Sequence, residues 1–146
     1  MFQLTDQPIS ASAETSHLRN ASAGALATFE GWVRNHNEGK DVDRLEYEAY
    51  ASMAIKEGER IVAEACEKFD LLDAHCVHRT GDLGIGEIAV WVGVSSVHRG
   101  PAFDACEYII DQTKSRVPIW KKEHYTDGAA EWVACHECAQ HAGHGE

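Results

Sequence analysis

The segment Glu87–Ser96 sets Ile88, Val90, Val92 and Val94 against Ala89, Trp91, Gly93 and Ser95. A repeat of two is the period of a β-strand, and branched side chains favour a pleated surface. A strand cannot stand alone: it needs neighbours and a layer over its apolar face. The remainder of the chain offers both. Ala25–Val33 is apolar and rich in strand formers, Arg44–Tyr50 alternates Leu45, Tyr47 and Ala49 against Glu46, Glu48 and Tyr50, and Ala74–His78 is a short strand. Ile119–Tyr125 and Ala130–Ala134 are two more. Met53, Ile55, Ile61, Val62, Ala65 and Phe69 recur at near-helical spacing after an N-cap at Ser52. A second helix enters through Pro101 and runs to about Ser115, with Phe103, Cys106, Ile109, Ile110 and Thr113 inward and Pro118 as its stop. A polar loop (Arg34–Asp43) and a turn punctuated by Gly81, Gly84 and Gly86 separate strands. The order β-β-α-β-β-α-β-β predicts an α+β fold, a mixed or antiparallel sheet with helices packed on it. One domain is expected over residues 1–134, with a partly extended, poorly defined segment over 1–20 and a loose Cys/His-rich tail over 135–146.

Several function classes are excluded. A formal net charge of -11 argues against nucleic acid as a partner, because phosphate backbones select basic surfaces. No apolar run approaches the roughly 18 residues of a membrane span. The first twenty residues lack a basic start and a long apolar stretch, so the expected location is the cytoplasm. In that compartment Cys66, Cys76 and Cys106 read as reduced, small core residues.

Basic groups in so acidic a chain are informative. Arg34 with His36 ends a strand, His98-Arg99 precedes a helix, Lys114 and Arg116 end that helix, and Lys121-Lys122 follow. Five of the thirteen lysines and arginines fall between residues 99 and 122. Such a grouping suits a bound anion, and a helix N-terminus preceded by His-Arg favours one further. The competing reading is an ordinary solvated surface. Lys114 becomes a useful base or nucleophile if neighbouring cations such as Arg116, Lys121 and Lys122 lower its pKa; the competing reading is a lysine answering the helix C-terminal dipole. The tail residues Cys135, His136, Cys138, His141 and His144 are metal-ligand types, but their spacing does not match a structural zinc module, so no metal site is expected. His17, His75, His78 and His124 read as surface or structural.

Taken together, GALATFEGWVRNHNEGK (24–40), LEYEAYASMA (45–54), VHRTGDLGIGE (77–87), VWVGVSSVHRGPAFDAC (90–106), DQTKSRVPIWKKE (111–123) and EWV (131–133) resemble the large, catalytic subunit family of molybdopterin synthase, the MoaE family, over roughly residues 20–134. The resemblance implies a sulfurtransferase without metal or organic cofactor. A small ubiquitin-like carrier would thread its Gly-Gly thiocarboxylate into a pocket, and two sulfur transfers onto cyclic pyranopterin monophosphate would form the molybdopterin dithiolene. Two large subunits would form a central homodimer with a carrier at each end, a heterotetramer. It implies Lys114 and Lys121 as the catalytic lysines. Arg34, His98 and Arg99 would meet the substrate, Trp32 and Val33 would line the strand edge beside it, and Lys122 and Glu123 would flank Lys121.

Two features depart from the family pattern. His136 stands where an arginine commonly reaches across the dimer, and the Cys/His-rich tail is an addition. Two other readings remain: an inactive binding module for a ubiquitin-like protein, and a metal-handling protein acting through its tail.

Overall fold

A computed structural model describes residues 1–135. The elements are β1 (Phe2–Thr5), α1 (Ala11–Ser16), β2 (Ala25–Trp32), β3 (His36–Asn37), β4 (Lys40–Ala49), α2 (Ala51–Phe69), β5 (Asp73–Arg79), β6 (Gly81–Gly84), β7 (Ile88–Ser96), α3 (Arg99–Arg116), β8 (Ile119–Tyr125) and β9 (Ala130–Ala134). The α+β expectation holds. One sheet runs β1-β5-β7-β2, with β1 parallel to β5 and the other pairs antiparallel. A second runs β3-β4-β8-β9, and β6 also pairs with β4.

Strand β7 is central, and it is buried on both faces rather than one. Val90, Val92 and Val94 join the core formed with α2 and α3, through Ile61, Val62 and Ala65 of the first helix and Ala105, Ile109 and Ile110 of the second. Trp91 turns the other way, also fully buried. Leu18, just beyond α1, packs close enough to Gly93 that only a glycine leaves room for it and the Trp91 ring. The first twenty residues are thus structural: β1 adds an edge strand, and Leu18 seals a sheet face. A four-residue strand beside a distant parallel neighbour leaves no periodic signal in its own sequence.

Other expectations change at element ends and helix phase. The first long helix starts at Ala51 with Tyr50 as N-cap, not at Ser52, and no side chain caps it. Met53, Ile55 and Phe103 are exposed, because the buried phases of α2 and α3 are carried by small residues such as Ala54, Gly58, Ala65, Ala102 and Ala105. The polar stretch 34–43 holds the β3–β4 hairpin, turned by Glu38 and Gly39 at φ 50° and 79°, the double positive φ of a type I′ loop. The glycine-rich turn contains β6, which pairs with Arg44–Tyr47 of β4.

A smaller cluster of Val33, Val42, Leu45, Leu83 and Ala89 packs where the second sheet meets the start of β7. Tyr47 touches both clusters. The seam between them is where the cavity opens. None of the described helices is long and apolar enough to cross a membrane.

Candidate active site

A cavity of about 250 Å³ lies in that seam. It is walled by the end of β2 (Gly31, Trp32), the segment Arg34–Asn37, the inner face of β4, His78 of β5, the last turns of α3 (Ile110, Thr113, Lys114) and β8 (Ile119, Lys121, Glu123), with Cys135 at its margin. A register shift between Gly31 and Trp32 ends the regular pairing of β2 with β7, which releases the chain into the segment bearing Arg34. A bulge at a sheet end commonly re-aims side chains in this way.

Five of the expected site residues therefore converge: Arg34, Lys114, Lys121 and Glu123, and Trp32 at the mouth, where it donates its indole N–H to Glu30. Arg34 donates to Asn37 Oδ1 at 3.2 Å, and Asn37 Nδ2 donates to Glu123 Oε1 at 3.2 Å. Lys121 Nζ lies 2.8 Å from the same carboxylate oxygen, and the Tyr125 hydroxyl donates to Oε2 at 3.0 Å. Glu123 is the one carboxylate on the described cavity wall, against the guanidinium of Arg34 and the amines of Lys114 and Lys121. The arrangement is an electropositive pocket with an apolar back wall, suited to a flat organic anion.

The other expected residues lie elsewhere. Val33 is buried in the smaller cluster, its amide and carbonyl engaged by Glu87 and Gly86. Lys122 points to the opposite face of β8, over the Trp132 ring at 5.4 Å from its centroid. His98 and Arg99 are exposed at the start of α3, about 22 Å along the helix axis from Lys114 at 1.5 Å per residue. Arg116 faces α2. It donates to Glu64 at 2.7 and 2.9 Å and to Glu57 at 2.8 Å. That hydrogen bonding, joined by a donor from Tyr108, holds the Glu64 carboxyl down at about 2. Arg116 thus ties α2 to α3 instead of tuning Lys114. His136 and the remaining tail residues lie outside the described residues.

His78 is a cavity residue that sequence reading passed over. Burial foremost, with a contribution from the Lys114 charge, holds its imidazole at about 4, so it is neutral at ordinary pH. Cys76 and Cys106 behave as expected of core thiols: burial pushes them up to about 12 and about 11, which leaves them protonated and inert. Cys66, Cys76 and Cys106 form no disulfide.

A model of the MoaE protein family matches residues 4–116. The chain belongs to the MoaE family. Within it, the molybdopterin synthase catalytic subunit of Thermoplasma volcanium is 43% identical over 130 residues, covering 89% of this chain and 95% of that one. The Bacillus subtilis molybdopterin synthase catalytic subunit is 45% identical over 132 residues, 90% and 83% of the respective chains. The crystal structure of molybdopterin synthase from Staphylococcus aureus superposes with a TM-score of 0.86 at 40% identity, covering 90% and 96%. These relatives are catalytic subunits of molybdopterin synthase; the chain shares 43–45% of its residues with them over 89–90% of its length, and it shares the fold of the Staphylococcus aureus enzyme.

Proposed function

We propose that the cavity holds cyclic pyranopterin monophosphate and the thiocarboxylate terminus of a small ubiquitin-like carrier, and that sulfur passes between them there. The observation that carries this reading is the convergence of Arg34, Lys114 and Lys121 from three separate elements on one cavity of a chain with net charge -11. Arginine offers phosphate a planar pair of donors, and the lysines act as point charges. The apolar wall of Leu45, Val90 and Ile110 suits the pterin ring.

Lys114 is the base, or the amine that receives the carrier's acyl group once sulfur has left. Among the described residues it makes no ion pair, which leaves its nitrogen available to substrate. Lys121, held at 2.8 Å by Glu123, stabilises the negative charge that develops on the thiocarboxylate carbon's substituents. Trp32 covers the mouth. His98 and Arg99 reach a reacting centre only if a second protomer brings its α3 N-terminus to this cavity, which agrees with a homodimer at the core of a heterotetramer. The relatives' name, catalytic subunit, agrees with a further subunit, which this reading takes as the smaller sulfur donor. Cys66, Cys76 and Cys106, none of them in a disulfide, fit a reducing cytoplasm.

The test is reconstitution: the purified chain, a thiocarboxylated carrier and the pterin monophosphate, with molybdopterin detected by fluorescence after oxidation. Product that is lost on Lys114→Ala supports the reading. Product at the normal rate from Lys114→Ala removes Lys114 from the chemistry. Tight carrier binding without product would favour an inactive binding module instead.

A further inference from the structure

His78 sits on the cavity wall at the end of β5 and is only 7% exposed. Its Nδ1 lies 2.8 Å from the Arg79 carbonyl oxygen. A carbonyl can only accept, so Nδ1 carries the hydrogen, and Nε2 of the neutral ring is a bare acceptor. Tyr47 packs edge-on against the ring, centroids 4.9 Å apart, and holds its plane. Nε2 has no hydrogen-bond partner among the described residues. Yet it is not one of the buried polar atoms left without a partner there, which are His75 Nδ1, Arg79 Nε and Ser95 Oγ. It therefore meets the solvent of the cavity. A histidine that served the core alone would have both nitrogens engaged or sealed.

We propose that His78 is a positioning residue for Lys114: the two side chains face one cavity without a hydrogen bond between them here, and when the Lys114 amine engages the carrier's acyl carbon it donates a hydrogen bond to the Nε2 lone pair, which aims it. This rests on the role given to Lys114 above. Both side chains line the same cavity, and the Lys114 charge is felt at the imidazole. A lysine amine turns freely about its last bond. A fixed acceptor for one N–H selects one orientation and leaves the lone pair directed elsewhere. A carboxylate in this place would hold the amine too, but would favour the ammonium and suppress its reactivity. A neutral imidazole orients without that cost. The other charged or titratable groups on the cavity are Arg34 and His36 before β4, Tyr47 on β4, Lys121 and Glu123 on β8, and Cys135 at its margin.

The experiment combines nitrogen NMR of histidine-labelled protein with the reconstitution assay on His78 variants. The wild-type spectrum is expected to show the Nδ1–H tautomer through neutral pH. His78→Phe keeps a ring against Tyr47 but removes the acceptor; its kcat should fall roughly 10- to 100-fold, as for a misplaced reacting group, with KM for pterin and carrier little changed. His78→Gln, whose amide oxygen reaches the place of Nε2, should recover most of the rate, and His78→Asn, whose amide sits near Nδ1, should not. If His78→Phe does not fold, the Gln and Asn variants decide. An Nε2–H tautomer in the wild type, a wild-type rate in His78→Phe, or equal rates in the Gln and Asn variants would each overturn the proposal. Lys114→Ala turning over normally would instead sink the reading beneath it, whatever the His78 variants do.

Discussion

Lys121 Nζ stands 2.8 Å from Glu123 Oε1, two residues along β8 and on the same face of it, because a strand sends alternate side chains the same way. Both are mostly buried, with side chains 20% and 10% exposed. Asn37 and Tyr125 complete the carboxylate's shell. The pair therefore fixes where the Lys121 charge sits. Glu123→Gln preserves the shape but leaves the ammonium without its anchor, and kcat is expected to drop roughly tenfold while the thermal midpoint changes little. Steady-state kinetics beside a melting curve checks this; an unchanged kcat would show that Lys121 needs no such anchor.

Arg99 and Lys114 share a helix but not a cavity. If a second protomer supplies Arg99, a protein carrying Arg99→Ala and one carrying Lys114→Ala should each be nearly inactive alone. Co-expressed, they should regain about a quarter of the wild-type activity, since half the dimers are mixed and each mixed dimer has one intact site. Activity measured on co-expressed, separately tagged chains tests it. No recovery would mean that Arg99 serves its own chain or does not serve the reaction.

Gly58 lies in α2 directly beneath Phe2 of β1, and an added Cβ would run into the Phe2 ring. Alanine ordinarily favours a helix over glycine by up to about 1 kcal/mol. Here the ring is buried at 3% exposure and cannot swing away. Gly58→Ala is therefore expected to destabilise the fold by about 1–2 kcal/mol, the overpacking term outweighing the helix gain. Denaturant melts measure it, and Phe2→Ala in the same chain should make the added methyl harmless.

Acid should weaken the protein in two steps. The His78 imidazole is held at about 4 by burial, below its ordinary 6.5. A lowered pKa means the unfolded chain takes the proton first, so this stability is present above 6.5 and is lost as pH falls from 6.5 towards 4, up to about 3 kcal/mol. The Glu64 carboxyl, held at about 2 by Arg116 and then Tyr108, has the same sign: its contribution is present above an unfolded value near 4.5 and is lost between there and about 2. Melts taken across this range should show the upper loss vanish in His78→Gln and the lower one in Arg116→Gln. A flat response would mean that neither group is held as described.

The period-2 run of β7, the helical spacing of α2 and α3, and the stops at Gly81–Gly86 and Pro118 are properties of the local chain, and they can be read directly from it. The same holds for the basic residues of KSRVPIWKKE, whose grouping marks an anion site before any contact is known. Which of them face the substrate is also partly local: Lys114 and Arg116 are two residues apart on a helix and must diverge, as must the adjacent Lys121 and Lys122 on a strand. One member of each pair enters the cavity, and the other binds Glu64 or covers Trp132. Sequence cannot say which member enters, because that depends on the side from which the second sheet approaches. The burial of β7 on both faces, the sealing role of Leu18, the hairpin within a polar stretch and the bare Nε2 of His78 belong to the same class. Each arises from groups distant along the chain that meet only on folding, where long-range contact, not local propensity, sets the environment of a side chain.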